Sequence, residues 1–172
     1  MGGFLSINGI PVAWYACELT LHEADILGLT IGESSAQQAV EALAVLIALR
    51  AWAGSWASAG ATLRVRSDSI SALVLTLRFK TSGKATGIIA REVAIDLARA
   101  CYMPVVAEHL PGIANGVCDA LSRFFQPSAK AVVPVFLQGV ARLELLPRGR
   151  ECYSTLAPPS ASQGVKRGTE LG

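Results

Sequence analysis

Four side chains in this sequence have the types and positions that chemistry on a phosphodiester bond would need. Glu41 lies inside the most apolar predicted helix, and Asp68 lies where a predicted strand gives way to a helix. Asp119 lies on a later predicted helix, ten residues after His109, which comes just before a Pro-Gly turn. Carboxylates gathered at one sheet edge could bind Mg²⁺, and two such ions can activate water and stabilise a leaving oxygen. A nearby histidine could then shuttle a proton.

Each of these residues also has an ordinary structural explanation. Glu41 could be a charge tolerated at a helix edge, and Asp68 could cap the helix that follows it. Asp119 could be a solvated surface acid, and His109 an exposed loop side chain. Taken one at a time, the residues leave both explanations open.

The start of the chain predicts a β-hairpin. Residues 4–7 and 10–18 are strand-like, and Asn8-Gly9 between them is the pair that best tolerates the positive φ angles of a type I′ turn. Residues 19–33 are ambiguous, and residues 26–31 could form a third strand.

Helices and strands then alternate. The strongest helix is predicted from about Ser35 to Trp52, capped by Ser34 or Ser35 and ended by Gly54. The further predicted segments are a strand at 62–66, a helix at 70–79, a break at 81–84, a helix at 88–100, a strand at 103–108, a loop at 109–112 and a helix at 115–125. The order ββ(β)αβααβα predicts an α/β domain with a mixed sheet over residues 1–126.

Residues 127–172 differ in composition from the rest of the chain. They contain Pro134, Pro147, Pro158 and Pro159 and end in a Ser/Gly-rich stretch. Such a composition is typical of a linker or a mostly irregular tail without a core of its own. We expect this segment to be largely disordered.

Composition excludes several classes of protein. Hydrophobic residues make up 52%, so a single core can be buried, yet Glu41 and Arg50 interrupt the most apolar stretch. We therefore expect no membrane span.

The N-terminus lacks the pattern of a signal peptide, and the four cysteines are scattered without a CxxC pair, which indicates an intracellular protein, cytoplasmic or nuclear. Phosphate-binding glycine motifs and a nucleophile elbow are absent from the sequence.

The charge is unevenly distributed. Residues 1–61 contain one Lys or Arg and five acidic residues, whereas residues 62–172 contain 14 basic and eight acidic residues. This asymmetry permits a polyanionic partner on the C-terminal half.

Three segments, in order, resemble the ribonuclease H domains of retroelement reverse transcriptases. Residues 38–52 (QAVEALAVLIALRAW) are similar to the family's first long helix, and residues 65–73 (VRSDSISAL) to its strand-to-helix segment with a metal-binding Asp. The most specific segment is residues 108–123 (EHLPGIANGVCDALSR), which is similar to the retrotransposon ending H-x-P-G-x-x-N-x-x-x-D-x-L-S-R. The resemblance covers about residues 2–125.

The resemblance implies a ribonuclease H-like fold and hydrolysis of RNA paired with DNA. It implies that Glu41, Asp68 and Asp119 bind two Mg²⁺ or Mn²⁺ ions and that His109 assists product release or proton transfer. Ser69 and Asn115 would contact the hybrid. Recognition would use the 2′-hydroxyl groups and groove shape. The polymerase domain of the same polyprotein would be a further partner.

One feature of the family is absent. The family's first strand carries an Asp that bridges both metal ions, and residues 2–7 (GGFLSI) contain no carboxylate. The expected Asp would lie upstream of Met1, as in an N-terminally truncated domain. We therefore expect impaired hydrolysis. The alternative function is a non-catalytic retroelement remnant that binds nucleic acid or neighbouring polyprotein domains.

Overall fold

The structure is a computed structural model that describes residues 1–56, 62–78, 83–99, 103–111, 115–126, 132–153 and 156. Its helices and strands confirm a mixed α/β class. In chain order they are β1 (Gly2–Ile7), β2 (Ile10–Ala16), α1 (Leu21–Leu27), α2 (Ser34–Ala51), β3 (Thr62–Ser67), α3 (Ile70–Arg78), α4 (Lys84–Arg99), β4 (Met103–His109), α5 (Gly116–Ser122) and β5 (Ala141–Arg142).

The strands of the described residues form two sheets. β1 pairs antiparallel with β2, and the short β5 adds parallel to β2. β3 and β4 pair parallel in a second, two-stranded sheet. The hairpin turn is of the predicted kind, since Asn8 has φ 52° and Gly9 has φ 81°.

The optional third strand is not formed, because residues 21–27 are the helix α1. Thr20 caps this helix by accepting a hydrogen bond from the Glu23 backbone N–H at 3.1 Å. Gly28 ends it in the left-handed conformation, at φ 66°. These two local signals explain why the apolar run 26–31 begins inside a helix.

The predicted caps of the long helix are also wrong. α2 begins at Ser34 with Glu33 as the extended residue before it, so Ser34 and Ser35 lie inside the first turn. Trp52 is the residue at its C-terminal end, and Gly54 lies in the 3₁₀ turn Ala53–Ser55 that follows. The helix itself is confirmed. Part of the predicted break at 81–84 and of the loop at 109–112 lies outside the described residues.

Two groups of buried side chains hold these elements together. The larger one joins the inner face of the hairpin to α1, α2 and α4 and includes Tyr15, Leu43, Leu46 and Ile89. The smaller one lies on the other face of the hairpin, where Trp14 packs with Leu121 of α5.

The segment predicted as a tail contributes to both groups. Leu137 is fully buried beside Trp14, and Tyr153 is buried in the larger core. The Trp14 indole N–H donates to the Val140 carbonyl oxygen at 3.1 Å. Residues 132–153 therefore pack on the domain, which the prediction of a linker or tail from residue 127 did not anticipate. Residues 127–131, 154–155 and 157–172 lie outside the described part of the chain.

Candidate functional site

The carboxyl ends of β3 and β4 bring Asp68 and His109 together. The strands run parallel with Ser67 opposite His109, and the Leu110 backbone N–H donates to the Ser67 carbonyl oxygen at 2.9 Å. The exposed imidazole of His109 places Nε2 at 3.1 Å from the backbone carbonyl oxygen of Asp68. Because a carbonyl oxygen only accepts, Nε2 carries the hydrogen, and Nδ1 of the neutral ring is the atom able to accept a proton.

The carboxylate of Asp68 is not used to cap α3. Ser69 performs that role, since its hydroxyl oxygen accepts from the Ala72 backbone N–H at 3.2 Å. The Ser67 hydroxyl oxygen accepts from the Ser69 N–H at 3.0 Å. The explanation of Asp68 as a helix cap is therefore wrong, and its side chain is exposed. Ser69 is only 7% exposed, and its hydroxyl group already caps α3. The predicted contact of Ser69 with a hybrid would therefore compete with this cap.

Cys118 and Asp119 lie in the first turn of α5. Burial, and then the nearby charge of Asp68, raise the pKa of the Cys118 thiol to about 11. The helix α5 itself packs against the hairpin, where its Leu121 lies beside Gly2 of β1 and Trp14 of β2.

Asp119 is itself paired with an arginine. Arg123, one helical turn on, places Nη2 at 3.0 Å and Nε at 3.1 Å from Asp119 Oδ1. The Asp119 side chain is 51% exposed, so this is a surface ion pair of small energetic value. Asn115 comes just before α5 and is half-buried, and its backbone carbonyl oxygen accepts from the Asp119 N–H at 3.0 Å.

Glu41 lies in the first half of α2. It is half-buried, and its Oε1 atom accepts from the Gln37 side-chain amide at 3.3 Å. One turn later, the hydroxyl of the buried Tyr15 donates to the Ala44 carbonyl oxygen at 2.7 Å. Burial raises the pKa of Tyr15 well above its usual range. This bond ties the Glu41 region of α2 to the inner face of the hairpin.

The start of β1 packs tightly against α5. A side chain at Gly2 would collide with the Cβ atom and backbone of Leu121, and one at Gly3 would press on the ring of Tyr15. The first strand therefore has neither a carboxylate nor the space for one at Gly2. This supports the expectation that the strand's own residues do not replace the family's bridging Asp.

In the described residues, the three predicted carboxylates are not gathered into one group. Across the described residues, no three His, Cys, Asp or Glu side chains are close enough together to hold a metal ion. Asp119 faces Arg123, and Glu41 faces Gln37. The metal-binding role of Glu41, Asp68 and Asp119 stays a prediction.

Sequence reasoning missed a buried ionic cluster around Glu23 of α1. Glu23 is fully buried and receives two hydrogen bonds from Arg148, with Nε at 2.6 Å from Oε1 and Nη2 at 2.7 Å from Oε2. The Tyr153 hydroxyl donates to the same Oε1 at 2.8 Å. Burial and the bond to Glu23 raise the pKa of Tyr153. The pattern Thr20-x-x-Glu23, which resembles a capping box, was the available signal, but this carboxylate faces Arg148 instead.

A second buried acid, Glu92 of α4, is paired with Arg50 of α2. The Arg50 guanidinium also binds Asp96, and it donates to the Cys152 carbonyl oxygen at 2.5 Å. Arg50, the interruption in the apolar helix, thus connects α2, α4 and the C-terminal segment.

Comparison with known proteins found no matching family model, no matching curated protein and no matching solved structure. Among the described residues, every helix is too short or too polar to cross a membrane. What the fold and site define is a mixed α/β domain in which β3 and β4 bring an exposed Asp and an exposed His to one end of a sheet. The helix α5, which carries the ion-paired Asp119, packs against the hairpin.

Proposed function

We propose that this chain is a ribonuclease H-like domain of retroelement origin that binds RNA/DNA hybrids at the end of the β3–β4 sheet. The observation that carries the proposal is the contact between the His109 ring and the Asp68 backbone. Two of the three segments that resemble the family, far apart in the sequence, are neighbours in space. That juxtaposition is what the resemblance requires.

Exposed arginines next to this site support a polyanionic ligand. Arg66 lies two residues before Asp68, and Arg64 lies two residues earlier on the same strand. Both approach one carboxylate, that of Glu108, with Arg66 Nε at 2.7 Å and Arg64 Nη1 at 3.8 Å from its Oε2. Two guanidinium groups share one acid, so a positive charge remains for phosphate oxygens.

The proposed activity is binding with weak or no hydrolysis. Two-metal hydrolysis needs carboxylates that converge on the ions, and the side chains of Asp119 and Glu41 instead face Arg123 and Gln37. The expected Asp of a first strand has no counterpart in β1. These arrangements support a hybrid-binding domain whose catalytic set is incomplete.

The test is a binding titration by fluorescence anisotropy with an RNA/DNA hybrid, a DNA duplex and an RNA duplex of one sequence. We expect tighter binding to the hybrid, and a loss of about 1 kcal/mol, roughly five-fold in affinity, for His109→Ala. His22→Ala is the matched control, because His22 is an exposed histidine on α1. Arg66→Ala should reduce the salt dependence of binding by about one unit of slope. Equal affinity for the three duplexes would contradict the proposal.

A cleavage assay on the same hybrid, in Mg²⁺ and in Mn²⁺, tests the catalytic part separately. We expect little or no cleavage by the chain, by Asp68→Asn, or by the control Asp25→Asn, in which an exposed acid of α1 is changed. Cleavage that Asp68→Asn abolishes and Asp25→Asn leaves intact would show a working active site. That result would contradict the proposal that the set of catalytic carboxylates is incomplete. It would still support recognition of the hybrid by this domain.

Exposed apolar residues on β2 and on the 3₁₀ turn Val135–Leu137 favour a second candidate, an interaction module for a neighbouring polyprotein domain. The turn lies beside the hairpin, since the ring centroids of Phe136 and Phe4 are 5.5 Å apart. Ile10 is 67% exposed and Val135 is 82% exposed, and Val12 and Phe136 are also exposed. Exposed apolar residues clustered on one surface are typical of protein interfaces. In this case Ile10→Glu and Val135→Glu would abolish binding to a purified polymerase domain and leave the affinity for hybrid unchanged.

A further inference from the structure

The guanidinium group of Arg142 is surrounded by aromatic rings beside the hairpin. Its central carbon lies 5.1 Å from the ring centroid of Phe124 and 5.4 Å from that of Trp14. A third ring, that of Phe125, has its centroid 5.6 Å away. All of these distances lie within the limit of about 6 Å over which a cation is attracted to an aromatic ring. The side chain of Arg142 is therefore held by several rings at once.

The fold brings these residues together from three parts of the chain. Arg142 on β5 is the register partner of Trp14 on β2, so their side chains lie on the same face of the sheet. Phe124 and Phe125 follow α5, whose Leu121 packs with Trp14 on that face. The ring centroids of Phe124 and Trp14 are 5.8 Å apart, and those of Phe124 and Phe125 are 5.2 Å apart. We call the group formed by Arg142 and these three rings the Arg142 platform.

The positive charge of Arg142 has no acidic partner in the described part of the chain. No carboxylate there forms a salt bridge with it, and none of its N–H groups donates a hydrogen bond to a described residue. The guanidinium groups of Arg50, Arg123 and Arg148 are instead bound by carboxylates. Arg142 is also exposed. An exposed guanidinium that is positioned by rings can present its N–H groups to an anion from outside the domain.

The exposed ring beside this cation indicates which kind of anion suits the platform. Phe125 is 39% exposed, whereas Trp14 is 3% exposed and Phe124 is half-buried. An exposed aromatic ring offers a surface on which a nucleobase can stack, and such stacking tolerates every base. A base inside a duplex is already paired and stacked, so only an unpaired base can use this ring. A phosphate for Arg142 and an unpaired base for Phe125 occur together in single-stranded nucleic acid.

We propose that the Arg142 platform binds single-stranded nucleic acid, with Arg142 on a backbone phosphate and Phe125 against an adjacent base. Proteins that bind single strands without sequence preference combine positive charge with aromatic stacking in this way. Because the rings already position the guanidinium group, little side-chain entropy is lost when the phosphate binds. The platform includes neither Asp68 nor His109. It is therefore a second site, independent of hybrid recognition at the β3–β4 sheet.

The experiment compares the affinity of the chain for labelled oligo-dT and for an abasic strand of the same length, by fluorescence anisotropy. We expect oligo-dT to bind roughly ten-fold more tightly, because only this strand has bases that stack on Phe125. Equal affinity for the two strands would overturn the proposal. An oligo-glutamate peptide of the same charge is the anion control. If the peptide bound as tightly as oligo-dT, the platform would be a site for acidic peptides, and the proposal would be wrong.

Two substitutions separate the phosphate contact from the stacking contact. Arg142→Gln should weaken binding of both strands roughly five-fold, whereas Phe125→Leu should weaken binding of oligo-dT alone by a similar factor. Arg150→Gln is the matched control, since it removes an exposed arginine from the same C-terminal segment. Arg142 and Phe125 are both exposed, so we expect the variants to fold, which circular dichroism verifies.

The variants can contradict the proposal in two ways. If Arg142→Gln and Arg150→Gln weakened binding of oligo-dT equally, net charge and not the platform would bind the strand. If the affinity for oligo-dT were unchanged in the folded Arg142→Gln and Phe125→Leu variants, the strand would bind elsewhere. Either result would overturn the assignment of the Arg142 platform to single-stranded nucleic acid.

Discussion

The Nε2 atom of His109 lies 3.1 Å from the backbone carbonyl oxygen of Asp68, across the ends of two parallel strands. The partner is a main-chain atom, so the ring is oriented by the register of β3 and β4 and not by the Asp68 carboxylate. In most histidine–aspartate pairs the carboxylate itself orients the ring, whereas here the main chain orients the ring and the carboxylate takes no part. The carboxylate stays exposed for other interactions, while the backbone selects the tautomer of the ring.

The tautomer of His109 is the first testable consequence. When the imidazole ring of His109 is uncharged, we expect its ¹⁵N spectrum to show the hydrogen on Nε2. The substitution Asp68→Asn should leave this tautomer unchanged, because the hydrogen-bond acceptor is the main-chain carbonyl oxygen. The exposed His22 serves as the internal control and should follow the mixture of tautomers seen in free histidine. A hydrogen on Nδ1 of His109 would contradict the geometry.

Removal of the Arg148 guanidinium should be strongly destabilising. Arg148→Ala leaves the fully buried Glu23 without its cationic partner, and such losses cost about 3–5 kcal/mol. Arg150→Ala changes an exposed arginine two residues away and should alter the free energy of unfolding by no more than about 0.5 kcal/mol. Urea unfolding monitored by circular dichroism gives both values. Equal midpoints for the two variants would show that the Glu23 cluster does not stabilise the fold.

The stability of the protein should fall in mildly alkaline solution. The pKa of Cys118 is raised from an ordinary value of 9.0 to about 11, so the unfolded chain loses that proton before the folded chain does. The contribution of the neutral thiol is therefore fully present below about pH 9 and is lost as the pH rises to about 11. Each pKa unit corresponds to about 1.4 kcal/mol.

Cys118→Ala checks this assignment. The variant lacks the ionising thiol, so its free energy of unfolding should decline less steeply than that of the unchanged chain between pH 9 and 11. Chemical unfolding at a series of pH values measures the two slopes. Parallel curves would mean that Cys118 is not the group responsible.

The hairpin turn gives a prediction about backbone conformation. Gly9 has φ 81°, a conformation that side chains with a Cβ atom disfavour by about 1–2 kcal/mol, and Gly9→Ala should lower stability by that amount. Gly54→Ala is the matched control, because Gly54 has ordinary backbone angles and open space around it. Thermal unfolding of the two variants provides the comparison. A loss in Gly54→Ala as large as in Gly9→Ala would argue against the type I′ turn.

Much of the local structure was predictable because its causes are local. Asn8-Gly9 specifies the hairpin turn through backbone sterics, and the apolar spacing after residue 35 specifies α2. Where local signals competed, the prediction was wrong. The apolar run 26–31 resembled a strand, but Thr20 and Gly28 place a helix end within it.

The arrangement of the site was predictable only in part. Parallel pairing of β3 and β4 places the Asp68 backbone beside His109, and the sequence had suggested only that these residues could lie near one sheet edge. The direction of each carboxylate depends on its neighbours. The ion pair of Asp119 with Arg123 and the choice of Ser69 as the cap are side-chain contacts that order and spacing do not determine.

The sequence by itself determined the hairpin turn, most of the helices and the α/β class, since these follow from interactions between residues close in the chain. Only the tertiary structure decided the role of residues 132–153. Their composition resembles a linker, yet Leu137, Arg148 and Tyr153 fit surfaces built by residues more than 100 positions earlier. A buried ion pair such as Arg148 with Glu23 is stable only when both charged side chains are desolvated together and contact each other. No local pattern specifies that event, because the partners meet only when the chain has folded.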